Sequence, residues 1–351
     1  MNTFTGREWG DGTEEPAIFN PEKLDACHEE GLKFGVYLSP WDRNCKLYGQ
    51  GKAYDDYFVC QLTELLTNYG EVFSVWFDGA CGEGANGKKQ YYDWDRYYDT
   101  IRTLQPNACI NVCGPDIRWC GNEEFREQKI TAGDRDLGSR VALENEPDLI
   151  WYPAEVNTSI RPGWFYHEQE DDKVRSLESL LDIYYRSVGG NATFLLNIPP
   201  DKNGLLHPND VARLKEMGDF LSAAFRNNLC DTARMTVDSS EDGHGIDTAH
   251  KDSYADYFKT LDGVQHCSID VCWDSLQTIK FVVLKENILC SQRIEQFCAE
   301  TLVDGEWVSL YDGTVVGYKK IVPLNAVLTN HVRITIQDAR VAPALAFLGV
   351  Y

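Results

Sequence analysis

The 351 residues include 55 Asp and Glu against 33 Lys and Arg, a formal charge of −22, with 43% hydrophobic and 25% charged residues. That composition excludes a disordered or fibrous chain. So acidic a surface repels phosphate backbones and anionic lipid, which sets nucleic-acid and membrane-surface roles aside and leaves neutral substrates such as sugars open. No apolar run approaches the roughly 18 residues of a membrane span. The start, Met1 to Trp9, has neither a basic nor an apolar leader region, so the chain as written is expected to be cytoplasmic. Its 12 cysteines are too dilute for a disulfide scaffold and form no pair of zinc knuckles, so reduced thiols are expected.

Taken in chain order, Lys33–Ser39 is an apolar run ending at Pro40, and reads as a strand. Tyr54–Tyr69 carries Tyr57, Phe58, Leu62, Leu65 and Leu66 at helical spacing. Phe73–Phe77 is the next strand, closed by Asp78-Gly79; Asp93–Leu104 is a helix stopped before Pro106; Ala108–Cys113 is again strand-like. Leu177–Ser187 and Asn209–Phe225 read as helices on either side of a strand at Ala192–Asn197. Alternating helices and nearly all-apolar strands predict a parallel sheet in an α/β fold. After residue 226 strand candidates follow one another at Thr278–Leu284, Arg293–Leu302, Trp307–Tyr311, Tyr318–Val322, Val332–Ile336 and Leu345–Val350. They are separated by turns such as Asp304-Gly305 and Asp312-Gly313, a pattern that predicts an antiparallel β-sandwich. The domains are therefore expected at 1–228 and 229–351.

In a β/α barrel the reactive groups stand at the C-terminal ends of the strands. The residues there are Trp41, Asp42 and Arg43, then Asp78, then Asp116, Arg118, Trp119 and Glu123, and later Trp164, Tyr166 and His167. Carboxylates among aromatic rings suit glycoside hydrolysis, in which one carboxylate attacks the sugar and another protonates the leaving oxygen. Rings also pack against the C–H face of a sugar. Each residue has a plainer reading too. Asp78-Gly79 also fits a turn closing a strand, Glu123 a solvated loop acid, and Trp41, Trp119 and Trp164 core packing. His167 beside Glu168, Glu170, Asp171 and Asp172 fits a surface histidine on an acidic loop, and these acids lack a metal-ligand spacing.

Four stretches carry a family resemblance: Tyr37–Arg43 (YLSPWDR), Val75–Ala80 (VWFDGA), Gly114–Glu123 (GPDIRWCGNE) and Ser159–His167 (SIRPGWFYH). With Phe194–Pro200 (FLLNIPP) and Asn2–Asp11 (NTFTGREWGD), they resemble the retaining α-L-fucosidases of glycoside hydrolase family 29, most of all the branch that removes α-1,3/1,4-linked fucose from Lewis-type glycans. The C-terminal half is more weakly similar to the galactose-binding-like sandwich that often follows this barrel. The resemblance implies a (β/α)₈-type, TIM-like barrel with Asp78 as nucleophile and Glu123 as general acid/base. Tyr37, Trp41, Asp42, Trp119 and Trp164 would line the sugar site. It implies a fucosylated oligosaccharide as substrate and no metal or organic cofactor.

The chain departs from that family in three places. Members carry a His-His-Asp-Gly strand before the Tyr-Leu-Ser-Pro-Trp-Asp-Arg segment, whereas here Phe19–Ala26 runs straight into Cys27–Lys33. The family's first strand would precede Met1. Glu124–Ile130 (EFREQKI) replaces a Trp-containing stretch. About five barrel strands are legible where a closed barrel needs eight, so an incomplete barrel is expected. The alternative to a working fucosidase is therefore a carbohydrate-binding remnant of one. A third reading makes the sandwich a sugar-binding module with contacts at Trp273 and Trp307. With no secretory signal visible, the sequons at Asn157 and Asn191 are read as coincidence, and Asn191 also lies at a barrel strand.

Overall fold

The computed structural model describes residues 26–27, 29–79, 81–112, 114–120 and 152–351. The chain divides into two units, the first reaching Glu155 and the second running from Val156 to Tyr351.

In the first unit the first two apolar runs each become a strand followed by a helix, and the third is followed by a further strand. The elements are β1 (Gly35–Tyr37), α1 (Lys52–Thr67), β2 (Ser74–Trp76), α2 (Trp94–Leu104), β3 (Cys109–Val112), β4 (Ile117–Trp119) and the start of β5 (Ala154–Ser159). Strands β1 to β5 pair in parallel, and the register puts Tyr37 beside Trp76, Trp76 beside Asn111 and Trp119 beside Glu155. Side chains alternate across a strand. Val36, Leu38, Val75, Phe77, Ile110 and Val112 therefore share one face and are buried with Tyr54, Phe58, Leu62 and Leu66 of α1 and Tyr97 and Ile101 of α2. The opposite parity (Tyr37, Ser74, Trp76, Asp78, Asn111) is left for the barrel interior. α2 starts where Asp93 accepts the Arg96 N–H. β3 ends in a strained reversal: Val112 has φ 67°, and a Cβ on Gly114 would lie 2.3 Å from the Ile110 carbonyl oxygen, so only glycine fits there.

The strands and helices expected up to residue 225 appear within a few residues of their predicted bounds, and the parallel sheet has the order β1-β2-β3-β4-β5-β6, with β6 at Ala192–Asn197. This six-stranded sheet is the incomplete TIM-like half-barrel that was expected. Two strands of this sheet went unpredicted, β4 and β5, as did the strands at Arg234–Val237 and Phe258–Lys259 further on. Both β4 and β5 carry charged residues at buried positions (Arg118, Glu155), which reads as loop until the partners are known.

The second unit contains α3 (Leu177–Ser187), capped by Ser176, and α4 (Pro208–Ala224), which opens on proline with His207 accepting the Asn209 N–H. A seven-stranded antiparallel sheet follows: β7 (Arg234–Val237), β8 (Phe258–Lys259), β9 (Cys267–Glu286), β10 (Ile294–Val303), β11 (Glu306–Gly313), β12 (Lys320–Ala339) and β13 (Ala344–Val350). The predicted strands at Tyr318–Val322 and Val332–Ile336 are parts of the single strand β12, because bulges rather than turns separate them. In β9, residues 273–276 loop out opposite Asn330, and in β12, residues 324–326 loop out opposite Lys280. Inward parity therefore shifts along β9 at Lys280, from Cys267, Ile269, Val271, Trp273 and Ile279 to Val282 and Leu284, and all of these share one core. The other face of the same strands presents Phe281, Val283, Ile321 and Phe347 to Tyr184, Tyr185, Ala224 and Phe225 at the ends of α3 and α4. Buried Glu286, at the end of β9, ties two other segments to it, accepting the backbone N–H groups of Arg293 and Ile294 at 2.6 and 2.9 Å and of Gly317 at 2.6 Å.

Among the described residues no helix is long and apolar enough to cross a membrane.

Candidate active site

The end of β2 delivers Asp78, and the end of β1 delivers Tyr37. The Tyr37 phenol donates to Asp78 Oδ2 at 2.7 Å. Burial first, then the hydrogen bond and charge of Asp78, push that phenol well above its ordinary pKa, so it remains a neutral donor. The Tyr37 ring stacks on Trp76, centroids 5.3 Å apart at 24°. The Trp76 indole N–H donates to Glu155 Oε1 at 2.6 Å, and the Asn111 amide donates to Glu155 Oε2 at 2.9 Å. Burial pushes the Glu155 carboxyl up, opposed by these two donors.

The loop after β1 is tied down by α1. Tyr54 donates to the Pro40 carbonyl at 2.8 Å, and Asp42 Oδ1 accepts the N–H groups of Asn44 and Cys45 at 3.2 and 3.1 Å. The Asp42 carboxylate thus shapes its own turn. Trp41, half-buried, donates its indole N–H to the Glu83 carbonyl at 3.2 Å. A Cβ at Gly82 would sit 2.7 Å from the Trp41 ring, so glycine there lets the backbone lie against the indole. Trp119 lies on β4, half-buried against the first unit's core. Asp116, another strand-end acid, is spent on structure: Arg102 grips both its oxygens, at 2.5 and 2.6 Å, and it accepts the Ile110 N–H at 2.7 Å.

Trp164 belongs to the second unit, where it is 43% exposed. Its loop is held by Arg161, which is fully buried and donates Nε to both oxygens of buried Asp210 (3.1 and 2.9 Å) and Nη1 to Asp171 at 2.8 Å. The Tyr166 ring lies 4.9 Å from the guanidinium. Arg161 holds the Asp171 carboxyl below the usual range. The acidic run after His167 is thereby partly committed to this anchor.

Of the seven predicted site residues, then, Asp78 and Tyr37 are in direct contact, Trp41 and Asp42 are on the loop that follows β1, and Trp119 is on β4. Trp164 presents a ring in the other unit, and Glu123 lies outside the described residues, as do the Asn2–Asp11 and Phe19–Ala26 segments except Ala26. Sequence reasoning missed Trp76, Asn111 and Glu155. Period-2 counting back from Asp78 would have found Trp76, whereas nothing local marks Glu155. In the sandwich, Trp273 is not a sugar contact: it is buried in the core and donates its indole N–H to the Leu229 carbonyl at 2.9 Å. Trp307 has the Arg333 guanidinium 4.0 Å from its ring. Asn191 holds φ 68° with both side-chain ends engaged: its carbonyl oxygen accepts the Tyr318 N–H at 2.7 Å and its amide donates to Gln292 Oε1 at 3.2 Å.

A strand-end carboxylate with a phenol donor and aromatic neighbours, inside a parallel β/α sheet, is compatible with the class of barrel glycoside hydrolases. Comparison with known proteins gives the family. Residues 21–224 match the alpha-L-fucosidase family model. Alpha-L-fucosidase 1 of Arabidopsis thaliana is 31% identical over 100% of this chain and 83% of its own length. Among solved structures, a glycoside hydrolase 29 family member from an unknown rumen bacterium is 35% identical, with a TM-score of 0.77, over 98% of this chain and 64% of that one. A Ruminococcus gnavus GH29 fucosidase in complex with fucose is 26% identical, with a TM-score of 0.83, over 96% of this chain and 75% of that one. The chain belongs to the alpha-L-fucosidase family, glycoside hydrolase family 29.

Proposed function

We propose that this chain is a retaining α-L-fucosidase that releases α-1,3/1,4-linked fucose from Lewis-type glycans. The observation that carries the reading is the Tyr37–Asp78 pair at 2.7 Å at the ends of β1 and β2. In the first step an Asp78 oxygen attacks the anomeric carbon while Glu123 gives its proton to the departing glycan oxygen. In the second step Glu123 takes a proton from water, the water oxygen attacks the anomeric carbon, and the Asp78 carboxylate leaves. Such a mechanism requires the two carboxyl groups roughly 5–5.5 Å apart. Tyr37, Trp41, Asp42, Trp119 and Trp164 line the sugar, with rings against its apolar face. The catalytic domain is 1–228 and the sandwich 229–351, a division supported by the family match ending at residue 224.

A second reading, a carbohydrate-binding remnant, is favoured by one observation. The alignment with the Arabidopsis enzyme runs over 427 positions, while this chain supplies 351 residues, so the relative carries segments this chain lacks. A missing histidine-bearing strand of the kind noted above would remove contacts to the fucose hydroxyls.

The test is fucose release from a Lewis-type trisaccharide and from an α-1,2-fucosylated disaccharide, with Asp78→Asn as control. Release from the first substrate alone, lost in the control, supports the enzyme and its linkage. No release from a folded chain that still binds the trisaccharide supports the remnant.

A further inference from the structure

Beneath the strand-end carboxylate lies a second one that the double displacement does not use. Glu155 is 3% exposed, and each of its oxygens is engaged by one donor, Trp76 at Oε1 and Asn111 at Oε2. Asn111 is itself fixed, its carbonyl accepting the Ser74 hydroxyl at 3.1 Å. Trp76 and Asn111 are cross-strand neighbours on β2 and β3, so a carboxylate from β5 spans both. Trp76 then supports the Tyr37 ring, and Tyr37 donates to Asp78. The chain of contacts Glu155–Trp76–Tyr37–Asp78 is continuous. A buried carboxylate with two donors adds little to stability compared with an apolar set of the same volume, so stability alone does not account for it. Its distinctive effect is geometric, because an indole whose N–H is anchored cannot swing about its Cβ.

We infer that Glu155 is a positioning residue: it fixes the Trp76 indole, and through the ring stack it fixes the angle at which Tyr37 donates to Asp78. The inference rests on the reading of Asp78 as nucleophile. Without Glu155 the indole loses its anchor, the stack loosens and the phenol drifts from the carboxylate. The loss is bounded by what the Tyr37 donation itself contributes, about tenfold in rate for a hydrogen bond of this kind.

The experiment is a double-mutant cycle on the full chain with an aryl α-L-fucoside. Glu155→Leu should lower kcat and KM together by no more than the roughly tenfold that loss of the Tyr37 hydroxyl costs, and should cost less than about threefold when added to Tyr37→Phe, because both changes act through one contact. Glu155→Gln, whose amide oxygen still accepts the indole N–H, should restore most of the loss. Losses that multiply independently of Tyr37, or an unchanged kcat, would overturn the inference. Should Glu155→Leu fail to fold, Glu155→Asp carries the same test, since one methylene less cannot reach both donors. If the wild-type chain releases no fucose, it is the nucleophile reading that fails. The positioning claim is then judged on the Trp76 indole N–H in a 15N-tryptophan-labelled chain, assigned by its loss in Trp76→Phe. A slowly exchanging resonance that moves in Glu155→Asp upholds it, and one that does not move refutes it.

Discussion

Tyr37→Phe isolates one oxygen. The ring and its stack on Trp76 remain, and only the 2.7 Å donation to Asp78 is lost. A hydrogen bond to a charged group is worth about 1.5–3 kcal/mol. Tyr37 is 38% exposed, so water replaces part of the bond and the low end applies, about 1.5 kcal/mol or tenfold in rate. The direction depends on the step. In the free enzyme, and again as the leaving group, Asp78 is an anion that the phenol stabilises; in the fucosyl ester its oxygen is a poorer acceptor. The variant should therefore attack sugar as readily as before and shed it about tenfold more slowly. With a reactive aryl fucoside the assay is a rapid-mix burst followed by steady state. The expected outcome is a larger burst, with kcat and KM lowered together and kcat/KM held within about threefold. A raised KM at unchanged kcat would refute the reasoning and leave Tyr37 as a sugar contact only.

Three further outcomes follow from described contacts. Asp78→Asn should abolish fucose release while leaving the thermal midpoint within a few degrees, because the residue is only half-buried. Asp210→Ala leaves the fully buried Arg161 without its main partner and should cost about 3–5 kcal/mol by urea unfolding, whereas replacing both by apolar residues should recover most of it. Burial raises the Glu286 carboxyl in the folded state, so its contribution is fully present below the ordinary glutamate pKa and is lost as pH rises through the folded value. Wild-type stability relative to Glu286→Gln should accordingly fall between acid and neutral pH, and a difference that grows with pH would contradict the assignment.

The fold was legible where a single rule governs a stretch. Leu177–Ser187 and Ala192–Asn197 match to the residue because a serine cap, helical spacing and a Pro-Pro stop act locally. The site was legible in the same way at Asp78, which closes an apolar strand. β5 was not, since Ala-Glu-Val-Asn-Thr-Ser becomes a strand only once Glu155 finds the indole on β2 and the amide on β3, partners far away in sequence. The long strands of the sandwich were read as fragments for the opposite reason: bulges shift the inward parity, and a shifted parity looks like a break. Trp273 shows that an isolated aromatic is ambiguous until its burial is known.

The two-sided strands also bear on how the C-terminal sheet could be handled as a separate piece. Phe281, Val283, Ile321 and Phe347 lie under Tyr184, Tyr185, Ala224 and Phe225. A fragment cut at residue 229 would lift off that lid and leave a contiguous apolar patch of a few hundred Å², at the upper limit of what soluble monomers expose. Sugar binding by such a fragment would then be confused with stickiness and self-association. A sheet that needs its neighbour's helices to stay dry was not shaped as an interchangeable module, and a fair binding assay keeps α3 and α4 attached to it.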